Sequence, residues 1–285
     1  MAVYRRTYAS YTGALTPAWS RWLVPFRYAR RNLFRSKFLT AFFVACFFYP
    51  VLCLGGIYLT HNLSFLERIG ARGNLLVIDN KFFYSFTAVQ GWLAFILTAF
   101  AGPGLISGDL ANGALPLYFC RPFSRSEYVL GKASVLGILI AQITLVPGLV
   151  LFIVQATLAG PSWTWNHLWI AGSLILSSLV WIAILSLLAM ALSAWVRWRI
   201  VAGALLLATL LFGMGLAEAI NAVLRTHYGH FVSLAHLMNA VSKTLFRMDL
   251  EPGISASAAG IAILAYCGIC LALLLKKVRA YEVIR

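Results

Sequence analysis

Six long apolar runs, separated by short polar or basic interruptions, organise the 285-residue chain. They predict membrane-crossing helices at about 38–60, 85–107, 127–158, 168–195, 200–224 and 254–275. Roughly 20 apolar residues suffice to cross a hydrocarbon layer of about 30 Å as a helix. Pro50 and Pro147 fall inside the first and third runs, where a kink is tolerated because neighbouring helices can satisfy the freed backbone groups. Gly102, Pro103 and Gly104 loosen the end of the second. The expected fold is an all-α polytopic membrane protein: a basic segment at 1–37, a six-span domain at 38–277 and a tail at 278–285.

Two stretches outside the spans carry helical periodicity of their own. Trp22, Phe26, Ala29 and Leu33 recur at i, i+4, i+7 and i+11, beside a stripe of Arg27, Arg31 and Arg35. One apolar and one basic stripe predict a helix lying in the headgroup layer. Between Arg225 and Gly253, the residues Phe231, Leu234, Leu237, Val241, Leu245 and Met248 form another apolar stripe. This predicts an amphipathic helix packed on the outer leaflet or the bundle, with a lid or gate as the alternative.

Composition narrows the class. The chain is 61% hydrophobic and 11% charged, with a mean hydropathy of +0.85, whereas soluble domains are about 25% charged. No large soluble domain fits. A formal charge of +15 suggests nucleic-acid binding only when it gathers on a solvated face, and here the cations stand at the ends of apolar runs. The positive-inside rule accounts for them better. Arg5, Arg6, Arg21, Arg27, Arg30, Arg31, Arg35 and Lys37 precede the first span, and Arg121, Arg125 and Lys132 lie between the second and third. Arg197 and Arg199 separate the fourth from the fifth, and Lys276, Lys277, Arg279 and Arg285 follow the sixth. That distribution puts both termini in the cytoplasm. Glu67, Arg68, Arg72, Asp79 and Lys81 nearly balance in the first loop, which reads as external, as does the tryptophan-rich Pro161–Trp165 link. The first long apolar run begins near Phe38, so no cleaved signal is expected.

The polar stretch from Gly104 to Lys132 is dense in helix punctuation. Gly108-Asp109-Leu110-Ala111-Asn112-Gly113 reads as one or two helical turns closed by a glycine, and Pro116 blocks continuation. Ser124-Arg125-Ser126-Glu127 matches a capping box, with Phe123 and Tyr128 at the staple positions. A short rigid helix joined to a sharply capped span transmits a displacement that a floppy loop would absorb.

The same stretch resembles the loop between helices two and three of the ABC-2 type permease family. The matching features are an acidic residue after the span (Asp109), a G-T-L-like triplet (Gly113-Ala114-Leu115), an R-P-x-S-R element (Arg121-Pro122-Phe123-Ser124-Arg125) and a G-K pair (Gly131-Lys132). Arg30-Arg31-Asn32-Leu33-Phe34-Arg35-Ser36-Lys37 resembles that family's N-terminal elbow. The chain departs from the pattern with Asp109 where glutamate is usual and Ala114 in place of threonine. The resemblance implies a permease subunit of an ATP-driven exporter, paired with a second permease chain and engaging two copies of a separate ATPase. In that picture Asp109, Leu110, Asn112, Gly113, Leu115, Arg121, Pro122, Ser124, Arg125 and Lys132 form the coupling element. Trp22, Phe26, Arg27, Arg30, Arg31, Leu33 and Arg35 form the elbow. The chain has no G-x-x-x-x-G-K-[ST] loop, so ATP and Mg²⁺ are expected in the partner chain, and neither enzymatic activity nor a bound cofactor is expected here.

Polar groups inside apolar helices are costly and often functional. Apart from Glu127 at the very start of the third, Glu218 is the one acidic residue inside a predicted span, with Asn221 three positions on. They belong either to a pathway or to a hydrated outer helix end capped by the following loop. Gln90, Gln142 and Gln155 either line a pathway or bond between helices. His227, His230 and His236 share one loop, and Cys267-x-x-Cys270 lies in the sixth span. Neither group has a second ligand pair by spacing, so no metal site is expected. Alternatives to the exporter are an ATPase-coupled component serving assembly or signalling, and an ion-coupled secondary carrier.

Overall fold

A computed structural model of the chain describes residues 17, 20, 22–62, 77–114, 124–196, 198–225, 228–250, 253 and 255–277. The described residues are helical with no strand, and six helical spans are long and apolar enough to cross a membrane. These are Lys37–His61, Asn80–Ala101, Arg125–Ala159, Pro161–Trp195, Arg199–Leu224 and Ala256–Lys277. The chain is therefore an all-α, multi-pass membrane protein in architecture. Arg5, Arg6, Arg21, Glu67, Arg68, Arg72, Leu115, Arg121, Pro122, Phe123, Arg197, His227 and the 278–285 tail lie outside the described residues.

In chain order, α1 covers Leu23–Leu33, α2 Lys37–Ala45, α3 Phe48–His61, α4 Asn80–Ala101 and α5 Ser107–Ala111. Then follow α6 (Arg125–Ile143), α7 (Leu145–Ala159), α8 (Pro161–Trp195), α9 (Arg199–Leu224), α10 (Leu234–Leu245) and α11 (Ala256–Lys277). The 35-residue α8 is the central post: α4, α6, α7, α9, α10 and α11 all pack on it. Cations crowd one end of the bundle, here the basic end, where α1, α5 and the start of α6 lie. The other is the far end.

The first span breaks at Cys46–Phe47, ahead of Pro50. Proline has no N–H to give the carbonyl four residues back, which is that of Cys46. The fully buried Gln90 of α4 donates its Nε2 to that carbonyl at 3.2 Å. The third span breaks likewise at Thr144, three residues before Pro147.

Three boundaries differ from those read off the sequence. The second span starts at Asn80 because the Asp79 side chain caps it, accepting from the N–H groups of Lys81 and Phe82. It ends at Ala101, so Gly102–Ile106 form a turn into α5 instead of a last helical turn. The Pro161–Trp165 link belongs to α8: Gly160 at φ 90° makes the reversal, and Pro161 occupies the first helical turn, where its missing N–H costs nothing.

The amphipathic helix expected after α9 is present and packs on the bundle, but the chain reaches it by an unexpected route. Arg225 adopts the left-handed conformation (φ 49°) and ends α9. The 3₁₀ turn Tyr228–Phe231 then packs back along α9, with Gly229 against the Ala217 carbonyl and Asn221, where no side chain fits. Ser233 reaches the level of Gly213, 11 residues from the end of α9, or about 16 Å at 1.5 Å per residue. From there α10 rises between α4, α8, α9 and α11 to Phe246, beside Asn80. The segment is re-entrant rather than laid on a surface. Its apolar stripe is buried in the bundle through Leu234, Leu237 and Met238.

Candidate functional site

At the basic end, α5 is short because Gly113 (φ 62°) follows its C-cap Asn112, as the sequence predicts. Its start is held from α8. The fully buried Ser193 Oγ accepts the N–H groups of Ile106 (3.1 Å) and Ser107 (2.9 Å) and donates to the Pro103 carbonyl at 2.7 Å. One serine thus satisfies two N–H groups at the start of α5 that have no partner within the helix. Ser193 carried no signal in the sequence, being one serine among several in an apolar run.

The charged joint lies on the next face. Tyr128 and Lys132, four apart on α6, point the same way. Lys132 Nζ is 2.9 Å from Asp109 Oδ2, and Tyr128 Oη donates to the same oxygen at 2.6 Å. The Lys132 side chain is 8% exposed and that of Asp109 21%. A mostly buried carboxylate and ammonium are retained because each neutralises the other. The capping box is present as read: Ser124 N–H donates to Glu127 Oε2 (2.7 Å) and Glu127 N–H to Ser124 Oγ (3.2 Å). Span three therefore enters at a fixed angle. Ser124, Arg125, Asn112 and Gly113 are exposed, and Leu110 is half-buried against the core.

Helix α1 docks on the same corner. Its predicted stripe is right in register: Phe26, Ala29 and Leu33 are buried, Trp22 is half-buried, and Arg27, Arg30, Arg31 and Arg35 are exposed. The apolar face meets protein, however. A Cβ at Gly131 of α6 would lie 2.6 Å from Pro25 Cγ and 2.7 Å from the Trp22 carbonyl oxygen. The Gly131-Lys132 pair thus joins a close helix crossing to the charge pair. An open groove of about 620 Å³ results, lined by Tyr28, Ala29, Arg31, Asn32, Arg35, Asp109 and Lys132. Two motifs some 75 residues apart, judged by Arg35 and Asp109, share one surface.

Toward the far end, α10 is held by neutral bonds. Asn80 Nδ2 donates to the Phe246 carbonyl (2.8 Å) and Ser173 Oγ to that of Leu245 (2.6 Å), satisfying acceptors at the end of the helix. Tyr84 donates to Asn239, Ser177 pairs with Ser242 at 3.0 Å, and Tyr266 Oη donates to the Val232 carbonyl at 3.0 Å. Beside α10 lies a cavity of about 300 Å³, lined by Tyr84, Ala88, Trp92, Trp181, Leu210, Met214, Ala235, His236, Asn239 and Ser242. Its aromatic walls and polar α10 side offer both apolar contact and hydrogen bonding.

The sequence-nominated polar residues divide. Gln90 is the inter-helix amide described above, Gln155 is buried, and Gln142 is exposed. None of the three lines the cavity. Glu218 and Asn221 face the re-entrant segment: Glu218 Oε1 lies 3.4 Å from His236 Nε2, and Asn221 Oδ1 accepts the Gly229 N–H at 2.8 Å. His230 joins them, with its ring 4.6 Å from that of His236 and its Nε2 3.2 Å from Asn221 Nδ2. Spacing alone separated Glu218 from these histidines, and the reversal at Arg225 unites them. Cys267 and Cys270 are free thiols, as are Cys46 and Cys53.

Compared with known proteins, the chain matches no family model and no curated protein.

Proposed function

We propose that the chain is the membrane-spanning subunit of an ABC-2 class transporter, an exporter driven by a separate ATPase. The observation that carries this reading is the groove at the basic end. It brings the elbow-like arginines Arg31 and Arg35 together with Asp109 and Lys132 of the coupling-like stretch. In this reading the basic end is cytoplasmic, both termini lie on that side, and the host membrane is the cell membrane. An ATPase seats its cleft over α5, and ATP and Mg²⁺ stay in that partner. Ser193 and the Asp109–Lys132 pair make α5 move with α6 and α8 as one piece. Closure of two ATPase subunits then shifts the spans of two paired permease chains between alternating-access states.

The test is co-expression with a stand-alone ATPase subunit of this transporter class, sought first in the gene neighbouring this one. The expected outcome is a co-purifying complex in which the permease alters ATP hydrolysis. The double variant R31E/R35E, changed only at exposed positions, should lose the ATPase while retaining its own thermal stability. Undiminished association of that variant would overturn the docking assignment.

The interrupted spans and the re-entrant α10 favour a second reading, an ion-coupled carrier, because broken helices near mid-depth are where such proteins bind their ions. Transport by the purified chain in vesicles under an ion gradient, without any ATPase, would select it.

A further inference from the structure

We propose that Glu218, His230 and His236 form a binding site for a transition-metal cation of the Zn²⁺ class, at the foot of the re-entrant segment. The inference does not rest on the transport reading. One donor atom from each of the three residues lies within 4.8 Å of the other two. His236 Nε2 and Glu218 Oε1 stand 3.4 Å apart. That is longer than the usual N–H···O range of about 2.7–3.2 Å. It matches the edge of a tetrahedron around an ion with bonds of about 2.0–2.1 Å, an edge of roughly 3.4 Å. His230 completes the set by a modest swing of its ring, which the Asn221 amide holds nearby.

Position adds an independent reason for a cation. Glu218 lies six residues from the end of α9, about 9 Å along a helix that crosses the membrane. Its side chain is 66% exposed there, where an uncompensated carboxylate is expensive. His236 lines the neighbouring cavity, which gives an ion a route in. Two imidazoles with one carboxylate favour zinc, cobalt, nickel or copper over magnesium or calcium, which prefer oxygen ligands. Three protein ligands leave a fourth position for water or an anion. Because the carboxylate belongs to α9 and both imidazoles to the segment folded back on it, a bound ion staples the foot to its helix.

The test uses the full chain in detergent, stripped with chelator and titrated with Co²⁺. One equivalent should give the visible absorption of a tetrahedral site and be displaced by Zn²⁺. Glu218→Gln should weaken binding at least about tenfold, the lower end of what outer-shell changes already cost at metal sites. His236→Gln should abolish the spectrum, and His167→Gln should leave it intact. Elution as a single species checks that each variant is folded. Failure of the wild-type chain to take up either ion overturns the proposal. So does retention of the spectrum in the Glu218→Gln, His236→Gln double variant.

Discussion

At the basic end, α5 is pinned by a mostly buried ion pair and by a serine that bonds its backbone directly. At the far end, α10 is held mostly by neutral side-chain bonds beside a cavity of about 300 Å³, with one carboxylate contact, Glu218 to His236, at its foot. Both are short helices that do not span, and both lean on α8. The chemistry of attachment differs because the two joints fail differently. Separating Asp109 from Lys132 leaves two charges short of partners, which is costly in steps and opposes small excursions. Releasing α10 breaks bonds worth about 0.6 kcal/mol each on average in membrane proteins. The basic end is thus built to carry a displacement intact, and the far end to yield to one. The apolar core does not divide along this line: Leu234, Leu237 and Met238 of α10 belong to the main cluster that also reaches the basic end, and a smaller cluster gathers around Phe83, Phe86, Phe152 and Phe246.

The largest expected effect breaks the comparison at its rigid side. Lys132→Met or Asp109→Asn alone should cost about 3 kcal/mol, the lower end for a buried pair because Asp109 keeps some exposure. The double variant should cost clearly less than the two single losses together, since no charge is then left unpartnered. Unfolding in detergent micelles gives all three values. Single costs near the roughly 0.5 kcal/mol of a surface pair would mean that the joint is not rigid.

Much of the basic end was legible in advance, and little of the far end was. Helix punctuation acts locally: Ser124 with Glu127 and the positive φ of Gly113 involve residues close in sequence, so spacing finds them. The α1 stripe was legible for the same reason, although its partner Gly131 was not, because a glycine gives no sign of what approaches it. The pairing of Asp109 with Lys132 was not read in advance: the sequence nominates each separately, and only the packing of α5 on α6 brings them together. The return of 228–246 into the bundle turns on Arg225 adopting a conformation that glycine usually takes, and on contacts to four different helices. Its apolar stripe would read the same against lipid or protein. The union of Glu218 with His230 and His236 was hidden with it.

A middle-sized effect sharpens where one end gives way to the other. Gln90 is the donor that meets the Cys46 carbonyl at the break in the first span. Gln90→Leu should cost about 1–2 kcal/mol by leaving a buried acceptor unmet. Pro50→Ala, added to Gln90→Leu, restores an N–H four residues after Cys46 and should recover most of that loss. If the second substitution recovers nothing, the break has another cause, and Gln90 returns to the list of pathway candidates.

The smallest effect is the one that distinguishes yielding from rigid. Tyr266 Oη donates to the Val232 carbonyl at the foot of the re-entrant segment, a backbone group at membrane depth that needs a partner. Tyr266→Phe removes that bond and little else, costing about 0.6 kcal/mol, too little to move global unfolding by more than a degree or two. Local opening is a more sensitive readout. A loss of that size multiplies the open population of the segment roughly threefold, so amide exchange across 228–246 should speed up by that factor. Exchange in α5 should not change. If both ends respond together, α5 and α10 belong to one cooperative unit and the proposed division of labour is wrong. If only the far end responds, the two joints differ in mechanics as they do in chemistry.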